Sequence, residues 1–335
     1  MRTRTFLVVA AVAASALLAG CSGGDAVTPS TDADPGTVTL LAYDSFTPPE
    51  GIFDAFTAET GAKVKVVTGG DSGTVVNKAI LTAGNPEGDV LWGIDDTMLA
   101  RAQDAKLLLS YDAVDYGDVC VNYSKSWYAR KGQKPPASFD DLVKPEYKDQ
   151  LVVEDPVASS PGLNFLLATI AQYGEDWKDW WTQLKANGVH IAADWTTAWT
   201  MDYAGAGSPG KYPLVVSYGS SPPAEIVYAD PKKPVTEPDS GVIESTCLRQ
   251  NEYVGPLRGT KNPNIAAKLV EYLLGKEFQE SMPTSLFVWP VNKEATVPEV
   301  FSKWAVRAAT PLSIDPEEIR TNVGKWLDDW RALAL

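Results

Sequence analysis

TVTLLAYDSF (Thr37–Phe46), KVKVVTGGDSGTVVNKAILTA (Lys63–Ala83) and DVLWGIDDTMLA (Asp89–Ala100) follow one another in the chain and decide its fold. Thr37–Ala42 reads as a buried strand, and a helix carrying Ile52, Phe53 and Phe56 follows it and stops near Gly61. Lys63–Val67 alternates at period two, as a strand does, whereas Val75, Val76, Ala79 and Ile80 recur at helical spacing within Val75–Ala83. Asp89–Trp92 is a third short strand, and Asp96 is placed to cap the helix after it. This β-α-β-α-β-α order predicts a parallel sheet with helices on both faces.

A second run begins near residue 117. Asp118–Tyr123 alternates, Leu151–Val153 is a short strand, and Ser160-Pro161-Gly162 opens a helix lasting to Tyr173. Ser160 suits its cap, Pro161 its first turn and Gly174 its end. Further along, Trp177–Ala186 and Trp195–Tyr203 are expected as helices, and Val189–Ala192 and Leu214–Tyr218 as strands. The Pro- and charge-rich stretch ADPKKPVTEPDSG (residues 229–241) is a surface loop, after which Gly241–Cys247 returns as a strand. Helices close the chain at Pro263–Leu274 and Pro316–Leu333. Two such runs predict two lobes with a cleft. Ligands of open α/β sheets sit beyond the carboxyl ends of the strands. That places Tyr43–Phe46, Gly69–Ser72 and Gly93–Asp96 on one wall, with Ser159–Gly162, Asp194–Trp195 and Tyr218–Ser221 on the other.

Composition narrows the function. The 335 residues are 44% hydrophobic and 21% charged, enough to bury a substantial core. With 29 Lys and Arg against 43 Asp and Glu, the net charge is −14, so no excess of cations exists to bind nucleic acid through its phosphates. His190 is the one histidine of the chain, which weighs against imidazole catalysis and most transition-metal sites. Gly70-Asp71-Ser72-Gly73 spells the nucleophile segment of trypsin-like proteases, but His190 falls in an expected strand and reads as structural. Gly205, Gly207 and Gly210 match the dinucleotide pattern in letters only, since they precede a strand and Pro209 spoils the helix start. No acidic cluster has the spacing of a calcium loop. Neither a catalytic nor a metal site is expected.

The N-terminus is a targeting segment. Arg2 and Arg4 precede an apolar run, Phe6 to Leu18, which is shorter than the ~20 residues that span a bilayer. Leu18-Ala19-Gly20-Cys21 resembles the lipobox of bacterial lipoproteins, which implies removal of residues 1–20 and a diacylglycerol on Cys21. Residues 21–36, rich in Ser, Gly, Asp and Pro, read as a flexible tether on the outer face of the cell membrane. Lipid on Cys21 leaves Cys120 and Cys247, which an oxidising location favours pairing, with two buried thiols as the alternative.

The strand-end segments form an ordered series. It comprises Tyr43-Asp44-Ser45-Phe46, Gly93-Ile94-Asp95-Asp96, Asp155-Pro156 with Ser160-Pro161-Gly162-Leu163, Asp194-Trp195 with Trp199, Leu214–Tyr218 with Ser221-Pro222, and Thr284 with Trp289-Pro290-Val291. From about Val38 to the last helix this series resembles the thiamine-binding periplasmic proteins that feed ABC transporters. The resemblance implies a type II periplasmic binding fold: an α/β protein of two lobes, mixed sheets flanked by helices, and a ligand cleft between them. It implies residues 37–118 and 249–310 as lobe 1, residues 119–248 as lobe 2 with crossover strands at both ends, and residues 311–335 as a C-terminal helix on either lobe. It also implies a monomeric binding protein without cofactor or catalysis, partnered by a permease and its ATPase. Thiamine, thiamine monophosphate or thiamine diphosphate is the implied ligand.

Carried over by position, the pattern puts Tyr43 and Asp71 on the first wall, and Ser159, Ser160, Gly162, Trp195 and Tyr218 on the second. The chain departs from the pattern twice. Ala224 stands where the family has a Tyr after Ser-Pro, and Phe287 and then Trp289 replace the family's Trp and Tyr before Pro-Val. Aromatic faces suit a thiazolium cation, at about 0.5–2 kcal/mol for each well-placed ring, so Tyr43, Trp195, Tyr218, Phe287 and Trp289 are the candidate cage. Asp71 is placed to accept from an exocyclic amine, and Ser159 and Ser160 at a helix N-terminus to hold a phosphate. The resemblance further places Cys120 and Cys247 in neighbouring crossover strands. A polyamine or other small cation is the alternative ligand for this fold, and an extracytoplasmic hydrolase using Ser72 or a carboxylate pair is the alternative from another class.

Overall fold

The structure is a computed structural model that describes residues 36–334. The leader (residues 1–20), Cys21 and the tether to residue 35 lie outside the described residues. β1 (Thr37–Ala42), β2 (Lys63–Thr68) and β3 (Val90–Asp95) are parallel neighbours, followed in turn by α1 (Asp54–Thr60), α2 (Ser72–Leu81) and α3 (Asp96–Asp104). α1 stops at Gly61, which takes the left-handed φ of 76° that a helix end favours. α3 is capped by Asp95, not by Asp96: Asp95 accepts from the N–H groups of Thr97 and Met98 at 2.9 and 3.2 Å. Asp96 instead accepts from the Tyr253 hydroxyl at 2.7 Å.

β4 (Asp112–Ser124) leads into α4 (Lys125–Lys131), α5 (Phe139–Leu142), β5 (Leu151–Glu154), α6 (Ser160–Tyr173), α7 (Trp177–Ala186) and β6 (His190–Ala192). The expected helix Trp195–Tyr203 is α8 (Trp195–Thr197) continued as a π-helical turn over Ala198–Asp202. After it come β7 (Leu214–Tyr218), α9 (Ala224–Val227), β8 (Ser240–Pro256), α10 (Pro263–Leu274), α11 (Lys276–Ser285), β9 (Trp289–Pro290), α12 (Glu299–Trp304) and α13 (Pro316–Ala334). His190 lies in β6, where it stacks on Tyr212 at 4.8 Å and faces Asp202 at 3.2 Å, as a structural histidine does.

The strands form one hydrogen-bonded path, β2-β1-β3-β8-β4-β7-β5-β6, with β9 added to β4. What reads from sequence as two separate sheets is joined because β4 and β8 pair antiparallel from Asp112↔Val254 to Ser124↔Ser240. The register breaks between Val119 and Val121, where β8 skips from Leu248 to Ile243. Cys120 and Cys247 fill that irregularity and are joined by a disulfide, with their Cα atoms 4.2 Å apart. Thr246 closes it from the side, accepting from the Val121 N–H at 2.9 Å.

Two apolar cores flank this pair of long strands. The first gathers Leu40, Leu91 and Trp92 with Leu269 and Phe278, and the second Val121, Val153, Phe165, Trp180 and Trp181. α13 belongs to the second, burying Ile319, Val323 and Trp330 there. Each such side chain contributes roughly 1.5–3 kcal/mol by leaving water.

Candidate functional site

β1 ends at Ala42 and delivers Tyr43 to the rim of the sheet, where its ring lies against the backbone of β3. Gly93 makes that approach possible: its φ is 96°, and a Cβ there would stand 2.6 Å from the Tyr43 ring. From the opposite side α8 brings Trp195, β7 ends in Tyr218, and α9 is followed by Tyr228. Between these groups lies a cavity of about 360 Å³, within the range of small-molecule sites. Tyr43, Asp44, Asp71 and Phe287 line it from one side, and Trp195, Trp199, Tyr218 and Tyr228 from the other.

Polar bonds cross the cleft. Asp71 caps α2 with one carboxylate oxygen, accepting from Ser72 N at 2.7 Å, and accepts from Trp195 N at 3.1 Å with the other. Burial pushes its carboxyl up, and hydrogen bonds from the Ser159 hydroxyl and those two N–H groups pull it back. The Trp195 indole donates to Ser217 Oγ at 2.9 Å, and the ring stacks on Trp199 at 6.0 Å with 10° between planes. Asp95 accepts from Ser160 Oγ and, at 2.8 Å, from Asn164 Nδ2, so β3 is tied to α6. Burial pushes the Asp95 carboxyl up to about 6. Beneath the cavity the Tyr43 hydroxyl donates to Glu252 at 3.0 Å, and Glu252 faces Asp115 across the β4–β8 pair. Burial drives both of these carboxyls up, and mutual repulsion raises Glu252 further, so the pair holds a proton more tightly than free acids would.

The structure brings Tyr43, Asp71, Trp195, Tyr218 and Phe287 together around the cavity. It leaves Ser159, Ser160, Gly162 and Trp289 outside its lining. Ser159, not Ser160, caps α6, accepting from Gly162 N at 3.4 Å. Ser160 is fully engaged, donating to Asp95 and accepting from Gln250 Nε2 at 2.9 Å. Gly162 serves packing, since a Cβ there would stand 2.6 Å from the Glu154 carbonyl oxygen. Trp289 is drawn away by β9, which pairs it with Tyr116; the two rings stack at 6.4 Å. Trp199 and Tyr228 were not among the residues expected in the lining. The i, i+4 spacing of Trp195 and Trp199 was a legible signal for the first. Tyr228 offered none, standing after a four-residue helix in a Pro-rich stretch.

Similarity to known proteins agrees with this geometry. The chain is 27% identical to the thiamine-binding periplasmic protein of Salmonella typhimurium over 316 residues, covering 88% of this chain and 92% of that protein. Against the thiamine-binding periplasmic protein of Escherichia coli the identity is 28% with the same coverage. A solved periplasmic thiamin binding protein superposes with a TM-score of 0.79 at 24% identity, over 92% of this chain and 99% of that one, and shares the fold. The family model for bacterial extracellular solute-binding proteins matches residues 44–280, which include the lining residues from Asp44 to Tyr228. Two lobes, a cleft walled from both and this match together make the chain a member of the bacterial extracellular solute-binding protein family.

Proposed function

We propose that this protein binds thiamine in the cleft and delivers it to the permease and ATPase of an ABC importer. Its role on this reading is transport and not catalysis, with Cys21 carrying a lipid anchor on the outer face of the membrane. Residues 37–118 and 249–310 act as one lobe and residues 119–248 as the other, with α13 on the second. The observation that carries the ligand is the cavity's chemistry. Aromatic rings from both lobes stand beside the carboxylates Asp44 and Asp71, with no Lys or Arg among the lining residues. Such a site favours a flat organic cation.

The same chemistry supports thiamine over its phosphate esters. The serines at the start of α6 spend their hydroxyls on Asp95, Gly162 and Asp71, and the cavity's own charges repel an anion. A repulsion of ~1.4 kcal/mol corresponds to tenfold in Kd. Calorimetry with thiamine, its monophosphate, its diphosphate and spermidine tests the reading. The expected order is thiamine tightest, with the diphosphate roughly tenfold weaker. Tighter binding of spermidine would move the ligand to the polyamines, and no binding of thiamine at micromolar concentration would end the proposal.

A further inference from the structure

Tyr228 is 64% exposed and yet lines the cavity, and its contacts reach across the cleft. Its ring meets that of Phe287 edge to face, with centroids 5.4 Å apart and planes at 69°. Its hydroxyl points to the carbonyl of Ser285 at 3.4 Å. The segment it meets is braced on the first lobe. Leu286 N and Phe287 N both donate to the Met282 carbonyl at 2.9 Å, and Thr47 Oγ1 donates to the Ser285 carbonyl at 3.3 Å. Phe287 itself is held at φ 55°, a left-handed backbone that a bulky residue rarely adopts. Strained residues of this kind persist where the surrounding structure over-determines them, and they concentrate at ligand clamps. On the other side, Ala224 lines the cavity one helical turn before Tyr228, so its small side chain leaves that wall to the Tyr228 ring.

We propose that Tyr228 and Phe287 form an aromatic clasp across the mouth of the cleft, and that Tyr228 is thereby a ligand-retaining residue. The lobes are joined covalently through β4 and β8, so their outer edges are held together by side-chain contacts. An edge-to-face aromatic pair at the rim is such a contact, and the same Tyr228 ring offers a face to a bound cation. The clasp therefore slows escape more than it speeds entry. The retention role rests on reading this cavity as the site of a small organic cation.

Stopped-flow binding and release of thiamine, with thermal unfolding of the ligand-free protein, tests it on wild type, Tyr228→Ala, Tyr228→Phe, Phe287→Ala and the double Ala variant. Release from Tyr228→Ala should quicken by roughly tenfold with association changed by less than about threefold, because interface changes act mainly on dissociation. Tyr228→Phe, which keeps the ring, should stay close to wild type. In the ligand-free protein the double variant should unfold no earlier than the more destabilised single variant. Unchanged release from Tyr228→Ala would overturn the retention role, and additive melting losses would overturn the cross-cleft contact. If wild type takes up no thiamine, the ligand reading and the retention role fall together. The melting cycle still decides the clasp by itself.

Discussion

Trp195 is fixed by three interactions of different kinds. Its backbone N–H goes to Asp71, its indole N–H to Ser217, and its ring face to Trp199. A ring held this way has little rotamer freedom left to lose when a ligand arrives, so its stacking energy appears almost undiminished as affinity. Replacing it by Ala should weaken thiamine binding by at least ~1 kcal/mol, about fivefold in Kd, as read by calorimetry. Since the ring is only half-buried, the melting temperature should move far less than the affinity. Unchanged affinity would remove Trp195 from the ligand's surroundings. At this scale the sequence was informative where a side chain's fate is set by its own strand end, as with Tyr43 after β1 and Tyr218 at the end of β7. It misled where a neighbour claimed the group first. Ser160 is consumed by Asp95, 65 residues away in the chain, and nothing local to Ser160 announces that.

The crossover strands carry two further expectations. Asp115 and Glu252 oppose each other on β4 and β8, and Asp95, Tyr43 and Tyr218 stand around Glu252. All three carboxyls are held above their ordinary range, chiefly by burial. A group whose pKa is raised on folding binds its proton more readily in the folded chain. Its stabilising contribution is therefore complete below the unfolded value near pH 4 and is lost as pH rises through the folded value. For Asp95 that window runs from about 4 to about 6, and for the Asp115–Glu252 pair it extends above. Each group contributes at most ~1.4 kcal/mol per pH unit within its window. The opposite trend comes from Asp141, Glu280 and Asp329, whose hydrogen-bonded carboxyls are lowered, but these lie in contact with water and are well screened. Urea unfolding should accordingly show less stability at pH 8 than at pH 5. Glu252→Gln, which needs no proton to stay neutral, should flatten that slope. A wild-type slope of opposite sign would show that the pair does not retain its proton. The disulfide is the second device, closing a loop between residues separated by 127 positions in the chain, across the bulge in the two strands. Chain-entropy estimates put an upper figure of roughly 4–5 kcal/mol on such a loop. Cys120→Ala with Cys247→Ala should lower the melting temperature, while the oxidised wild type denatured without reductant should take up no alkylating agent on either residue.

Across the whole molecule, the walls of the cavity are tied by Asp71 to Trp195 and Ser159, by Asp95 to α6 and by the rim aromatics, and away from the cavity Arg320 of α13 pairs with Asp104 of α3. On the proposed two-lobe reading, with β4 and β8 as the hinge, the protein is expected to open in solution and to close on a ligand that touches both walls. Small-angle X-ray scattering should show the radius of gyration of the free protein falling when thiamine is added, and no change would mean that the closed form prevails without ligand. The sequence by itself determined much of this architecture. The bounds of α7, α10 and β7 agree with the expected ones residue for residue: the two helices each bury an apolar face written at helical spacing, while β7 is a short continuous run buried on both faces, with Leu214 and Val216 in one cluster and Val215 in another. It also put Tyr43, Asp71, Trp195 and Tyr218 at strand and helix ends, where a cleft must form. Only the tertiary structure decided the rest. Beyond Cys247, β8 continues through Leu248, Arg249, Gln250, Asn251 and Glu252. These largely polar residues break the hydrophobic alternation, and they make a strand only because β4 lies beside them and a carboxyl network receives their side chains. Tyr228 reaches the cavity for the same kind of reason. Its place is set by Phe287 and Ser285, 57 or more residues further along, and a contact made at that range leaves no periodic trace in the chain that makes it.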